Sequence, residues 1–185
     1  MIDILGNVLL RCMNVKIHLI GGKFLSFPIV NICKDAKINI GRNVLFKKGV
    51  GQYNYRNSIG CRSKCMLSIG NDCTFSSTII DVRKRVAIGN GCTFEDGVVI
   101  IDSDAHSLDF RDRRISEKDE ANKINAAILI GDNVHVCIGS LILKGVTIGN
   151  NVRIGPHAVV TKSIPDNCVV EGNPALSLIH ISEPT

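Results

Sequence analysis

The chain has 185 residues, 45% of them hydrophobic and 21% charged, with a net charge of +5. That is an ordinary globular composition, long enough for one domain with its own core. No apolar run reaches the roughly 18 residues of a membrane-spanning helix, and no basic–aromatic interleaving marks a nucleic-acid partner; the mild positive bias suits an anionic ligand or an anionic membrane surface.

Residues 1–31, apolar with a break at Gly21-Gly22, are expected to cap one end of the domain or to form its first irregular coils. The opening "MIDILGNVLLRCMNVKIHL" has neither a basic leader nor a small-residue cleavage site, so no secretory signal is expected. From Ile32 to Ala175 a short-period repeat takes over. Its first block carries Ile40-Gly41, Ile69-Gly70, Val82, Ile88-Gly89, Phe94 and Ile100. Its second block is clearer: Ile130, Val136, Ile142, Ile148, Ile154 and Val160 stand six apart without a slip. A period of six fits no α-helix and is too long for simple strand alternation. Gly131-Asp132-Asn133, Lys144-Gly145 and Gly149-Asn150-Asn151 fill the gaps as turn residues. The chain therefore makes a very short strand, turns and starts again, which is the signature of a parallel β-helix. Three such sides make a coil, and stacked coils pair their strands in parallel about 4.8 Å apart. Few rings fit such a narrow prism, in keeping with two Tyr, six Phe and no Trp.

Between the blocks the rhythm breaks. After Ile88, Phe94 and Ile100 the next in-phase position is His106, followed by the charged stretch "SLDFRDRRISEKDEANKINA" before the phase resumes at Ile130. This predicts a loop protruding near 103–127 from an otherwise continuous helix, and structured loops on rigid scaffolds are frequent carriers of function. Eight cysteines lie along the chain. Cys73 and Cys92 occupy equivalent places in "IGNDCTF" and "IGNGCTF", so reduced core thiols are expected rather than bridges; Cys61 and Cys65 lack the second pair a zinc site needs. At the far end "LSLIHISEPT", 176–185, abandons the pattern. It resembles the translation of a transposase adapter used to prepare DNA for sequencing, and is set aside with His180 as an expected artefact.

The hexad core, the His-bearing excursion and "ILKGVTIGNNVRIGPHAVVTKSIPDNCVVEGNPA" together resemble the hexapeptide-repeat acyltransferases. The resemblance is greatest to the maltose and galactoside O-acetyltransferases and to the O-acetyltransferases of surface polysaccharides. It implies a left-handed parallel β-helix, a homotrimer, acetyl-CoA as co-substrate and a sugar or polysaccharide-precursor acceptor. It implies an enzyme of the cytoplasm, associated at most with the inner face of the membrane.

By this resemblance His106 matches the catalytic His. An acceptor hydroxyl attacks a thioester only as its proton leaves, and imidazole can take that proton near neutral pH. A carboxylate on the other ring nitrogen would fix the tautomer; Asp104 and Asp102 are the candidates by proximity in sequence. Thr161 and Lys162 match residues near the nucleotide end of CoA, and an ammonium suits a phosphate. Gly139 and Ser140 lie where backbone amides would meet the pantetheine arm. Ser76 matches an acceptor-binding Asn, and Asp81 ends a segment at the family's distance before the catalytic His.

The chain also departs from the family. His135-Val136-Cys137 replaces Trp-Ile-Gly, Pro156-His157 replaces a small pair, and a hydroxyl at Ser76 cannot repeat an amide's contacts. His106, His135 and His157 do not have the spacing of the three zinc-binding His of trimeric β-helical carbonic anhydrases, so no metal is expected. Two alternatives to O-acetylation stay open: N-acetylation of an amino sugar, and a non-catalytic trimeric β-helix that has lost CoA binding.

Overall fold

A computed structural model describes residues 28–33, 35–62 and 64–180, together with the backbone of two short strands at 16–19 and 23–24. The chain winds as a three-faced prism of parallel strands. The first face stacks Lys16–Leu19, Lys37–Ile40, Met66–Ile69, Arg85–Ile88, Ile128–Ile130 and Thr147–Ile148. The second stacks Lys23–Phe24, Leu45–Lys47, Thr74–Ser76, Thr93–Phe94, His135–Val136, Arg153–Ile154 and Cys168–Glu171. The third stacks Ile29–Ile32, Ser58–Cys61, Ile79–Val82, Val99–Ile101, Leu141–Ile142 and Val159–Val160.

The hexad residue of each side points inward. Ile40, Ile69, Ile88, Ile130 and Ile148 form one buried column, and Phe46, Phe75, Phe94, Val136 and Ile154 form another. The three phenylalanines stack at centroid distances of 5.2 and 4.7 Å with interplanar angles of 16° and 4°. Strands this short hold because each backbone group bonds to the coil on either side.

The corners explain the turn residues. Asn43, Asp72, Gly91, Asn133, Asn151 and Asn167 all have positive φ, a region Gly tolerates freely and Asn and Asp more readily than other side chains. Beside them runs a polar ladder. The Arg42 amide donates to Asn71 Oδ1, that of Asn71 to Asn90, that of Asn90 to Asp132, that of Asp132 to Asn150 and that of Asn150 to Asp166, at 2.6–2.9 Å. Gly70 must be glycine for another reason: a Cβ there would stand 2.5 Å from the Gly89 carbonyl oxygen of the next coil.

Among the described residues two excursions leave the prism. The expected one departs after Ile101 and returns at Ile128; it is structured, with a turn of 3-10 helix at Asp112–Arg114 and the helix α1, Ser116–Asn122. The other, residues 48–57 between Lys47 and Ser58, was not foreseen; it carries Tyr53 and Tyr55 and folds over the edge between the second and third faces.

Cys73, Cys92, Cys137 and Cys168 are buried and outside any disulfide, as expected, but Cys61 and Cys65 form one. The turn between their two strands brings the Cα atoms to 5.9 Å, so a close pair replaces the expected free thiols. At the other end Leu176–His180 pairs antiparallel with Cys168–Glu171. Residues 1–15 and 181–185 lie outside the described part, and with them most of the N-terminal cap and the last half of the set-aside tail. No described helix is long and apolar enough to cross a membrane.

Candidate active site

The larger excursion rises from the edge between the third and first faces on a short two-sided stem. The Asp104 amide donates to the Ile124 carbonyl at 3.1 Å, the Ala126 amide to the Asp102 carbonyl at 2.9 Å, and Ser103 bridges Asn125 antiparallel. His106 sits just above this stem with 68% of its side chain exposed. Helix α1 folds back so that Asp119 Oδ2 lies 2.7 Å from His106 Nδ1, while Asp119 Oδ1 accepts the Ser107 amide at 2.7 Å. An ionised carboxylate only accepts, so Nδ1 carries the proton and Nε2 presents its lone pair outward. His106 donates the bond that, ahead of the Ser107 amide, holds the Asp119 carboxyl below the usual carboxylate range.

The orienting carboxylate is therefore Asp119, thirteen residues away, and neither of the two near neighbours in sequence. Asp102 is fully buried and accepts the backbone amides of Arg83, Lys84 and Arg85 at 2.7, 2.8 and 2.7 Å. It closes the turn between two coils and has no reach to the imidazole. Asp104 pairs instead with Lys144 at 2.5 Å, across one coil. The α1 segment is rich in helix-forming Glu, Lys and Ala, which is the one signal that a helix stood there; which acid would face His106 depends on how the helix folds back.

The expected CoA contacts divide. Thr161 and Lys162 are exposed on the same edge as the His106 stem, and Lys162 forms no ion pair with a described residue, so its ammonium is free for a phosphate. Gly139 and Ser140 do not fit the role expected of them. Their amides are already bonded to the carbonyls of Asp96 at 2.9 Å and Cys137 at 3.4 Å, and the Ser140 hydroxyl donates to Gly155. Gly139, at φ +68°, is covered by the His157 ring and the Tyr53 hydroxyl. Ser76 and Asp81 point outward on the second and third faces. Ser76 donates to Asp96, and Gly60 leaves the room that the Asp81 carboxylate fills. Within one chain neither stands beside His106.

The bacterial transferase hexapeptide family (six repeats) matches residues 127–162. Protein CapG of Staphylococcus aureus is 41% identical over 122 residues, 64% of this chain and 68% of its own length. The chain belongs to the bacterial hexapeptide-repeat transferases. WbbJ of Escherichia coli, described as an O-acetyl transferase of lipopolysaccharide biosynthesis, is 41% identical over 51 residues, 28% of this chain and 26% of its own. Against relatives of this kind the chain aligns over about a quarter of their length. A hexapeptide-repeat acetyltransferase of Vibrio cholerae, complexed with acetyl coenzyme A, superposes with a TM-score of 0.61 at 20% identity over 98% of this chain and 79% of its own. The prism is thus the left-handed parallel β-helix of these transferases.

Proposed function

We propose that the protein transfers an acetyl group from acetyl-CoA to a sugar hydroxyl, as part of surface-polysaccharide synthesis. The observation that carries this reading is the His106–Asp119 pair, an outward Nε2 lone pair held in one tautomer by a buttressed carboxylate at 2.7 Å. The relatives supply the class of reaction: WbbJ is described as an O-acetyl transferase and the Vibrio structure holds acetyl coenzyme A.

In this mechanism Nε2 accepts the hydroxyl proton as the acceptor oxygen attacks the thioester carbonyl. The ring becomes an imidazolium, and the negative Asp119 carboxylate opposite Nδ1 stabilises it. Nε2 then returns the proton to the departing thiolate. Lys162 holds a phosphate of the donor, remote from the reacting carbon. A homotrimer completes the site, because the excursion displays Leu108, Phe110, Ile115 and Ile124 at 71%, 60%, 43% and 48% exposure, an apolar surface that one prism leaves uncovered and a neighbour can bury.

His106→Ala should leave the chain folded and able to bind CoA, yet lower turnover by roughly 10²–10⁴-fold, the usual worth of a positioned base. The assay is release of free CoA thiol with a panel of sugar acceptors. Near-full activity in the variant would place the base elsewhere. A wild-type chain that binds no CoA would make this a non-catalytic β-helix.

A further inference from the structure

We propose that Glu95, His135 and Cys137 form a binding site for a divalent transition-metal ion, with zinc the ion their donors suit best. The three lie together where the second face runs into the third, whereas the His106 stem rises from the edge between the third and first faces. Phe94, Val136, Ile154 and Val170 are in register, so the residues after them, Glu95, Cys137, Gly155 and Glu171, form one outward column. His135 flanks that column one residue earlier on its strand.

The carboxylate oxygen, ring nitrogen and thiol sulfur of this trio all lie within 4.8 Å of one another. Ligands of a single tetrahedral zinc, at about 2.0–2.3 Å from the metal, stand roughly 3.3–3.8 Å apart. Side-chain movement of about 1 Å closes the set. His135 and Glu95 can make that movement, with 43% and 39% of their side chains exposed, while Cys137 anchors the site at 2% exposure.

Three observations separate this cluster from a surface His–Glu pair that happens to lie near a thiol. Cys137 is buried but stands outside the apolar core cluster to which Cys73, Cys92 and Cys168 belong. The charges of Glu95, Arg153 and Glu171 all act on its thiol. His135 Nε2 and Glu95 Oε1 already share one position at 2.7 Å, where a proton now sits between them and a cation can take its place. The other oxygen, Glu95 Oε2, accepts the Ile138 amide at 2.9 Å, an outer contact of the kind that holds a metal-ligating carboxylate in orientation. Nitrogen, sulfur and oxygen donors in one set, with a fourth position open to water, match zinc better than magnesium or calcium.

The placement gives the ion a purpose. Glu95 belongs to the coil before the large excursion, and His135 and Cys137 to the coil after it. An ion held by all three would clamp the two coils together just where the chain between them leaves the prism. Binding displaces the thiol proton of Cys137 and any proton shared by His135 and Glu95. Arg153 faces the Cys137 thiol and lies 3.8 Å from Glu171, which offsets its charge.

The test is titration of the chelator-stripped, thiol-reduced chain with cobalt(II), then with zinc. We expect one cobalt per chain, visible absorption of tetrahedral intensity, a thiolate-to-cobalt charge-transfer band, and loss of both on adding zinc. Cys137→Ser should abolish the charge-transfer band. His135→Gln and Glu95→Gln should each weaken cobalt binding by at least about 10-fold, with the far-ultraviolet circular dichroism of all three unchanged. No charge-transfer band at one equivalent overturns the proposal. So does a band that survives Cys137→Ser, or one unaltered in both His135→Gln and Glu95→Gln, since a lone thiol would then be the ligand. None of these readouts uses acetyl transfer, so the proposed activity and the metal site stand or fall separately.

Discussion

Asp119→Asn should harm turnover more than Asp119→Ala, although Asn is the closer match in shape. The native carboxylate accepts at both oxygens, from Ser107 N–H at 2.7 Å and from His106 Nδ1 at 2.7 Å. An amide has one accepting and one donating end. The Ser107 amide is fixed by the backbone and can only donate, so the Asn oxygen must turn toward it. The Asn NH₂ then faces Nδ1, which accepts only if the ring proton has moved to Nε2. That is the wrong tautomer for a base. In Asp119→Ala the ring loses its orientation and its counter-charge, but water can take the place of either partner and both tautomers persist. We expect about a 10-fold loss of kcat for Ala, the low end for an outer-shell partner, and about 10²–10³-fold for Asn. Acetyl-CoA KM should move little in both. The pH dependence carries a second check. The carboxyl of Asp119 is lowered in the folded chain, so its contribution to stability is present above the ordinary carboxylate pKa and is lost only as pH falls through the lower folded value. The Asp119 carboxyl carbon should therefore titrate below the ordinary carboxylate range in NMR, and His106→Ala should move it back up. Should Asn prove as active as Ala, or both match the wild type, Asp119 does not set the tautomer.

Asp102→Ala should act on stability alone: three backbone amides lose a buried acceptor, worth about 3–5 kcal/mol, and the melting temperature should fall by roughly 10 °C while activity per folded chain stays near wild type. A large loss of kcat at full stability would instead return Asp102 to the chemistry. Lys162→Ala should raise the KM for acetyl-CoA more than it lowers kcat, with an effect that shrinks at high salt as exposed charges are screened; an unchanged KM at low salt would refute the phosphate contact. Phe110→Asp should shift sedimentation from trimer toward monomer, because a charge at a 60% exposed apolar position would be buried against a neighbour. A wild-type chain that is monomeric and active when dilute rules the trimer out.

The hexads were legible because the same constraint repeats at every side: the prism admits a branched aliphatic or a stacked ring inside, and the corners demand residues that tolerate positive φ. Ile130 to Val160 therefore announced the fold without help from any other part of the chain. What escaped was whatever left the rhythm. The excursion at 48–57 is short, and its tyrosines carry no period, so only its packing over Gly97 and Gly139 reveals it. Asp102 and Asp104 drew attention because they precede His106 closely, yet nearness in sequence favours the wrong partner here. The stem turns them down into the coil, where amides and Lys144 occupy them, and a helix thirteen residues on brings back the carboxylate that reaches the ring.

Outside the excursions the prism obeys a simpler rule. An outward residue meets the residue one coil away in the same column, about 4.8 Å off, however many residues lie between. Glu95 finds Cys137 by this one relation, and Ser76 reaches Asp96 one residue off its column. Once the length of each excursion is known, the columns can be written from the hexad phase alone. Of the departures that the resemblance marked, Cys137 is in register with Glu95 and Gly155, His157 with Gly139, and His135 with Thr93 and Arg153. Substitutions placed in that way change which side chains touch without disturbing the winding. A fold of this type can therefore exchange the chemistry of a whole edge while its core columns stay the same.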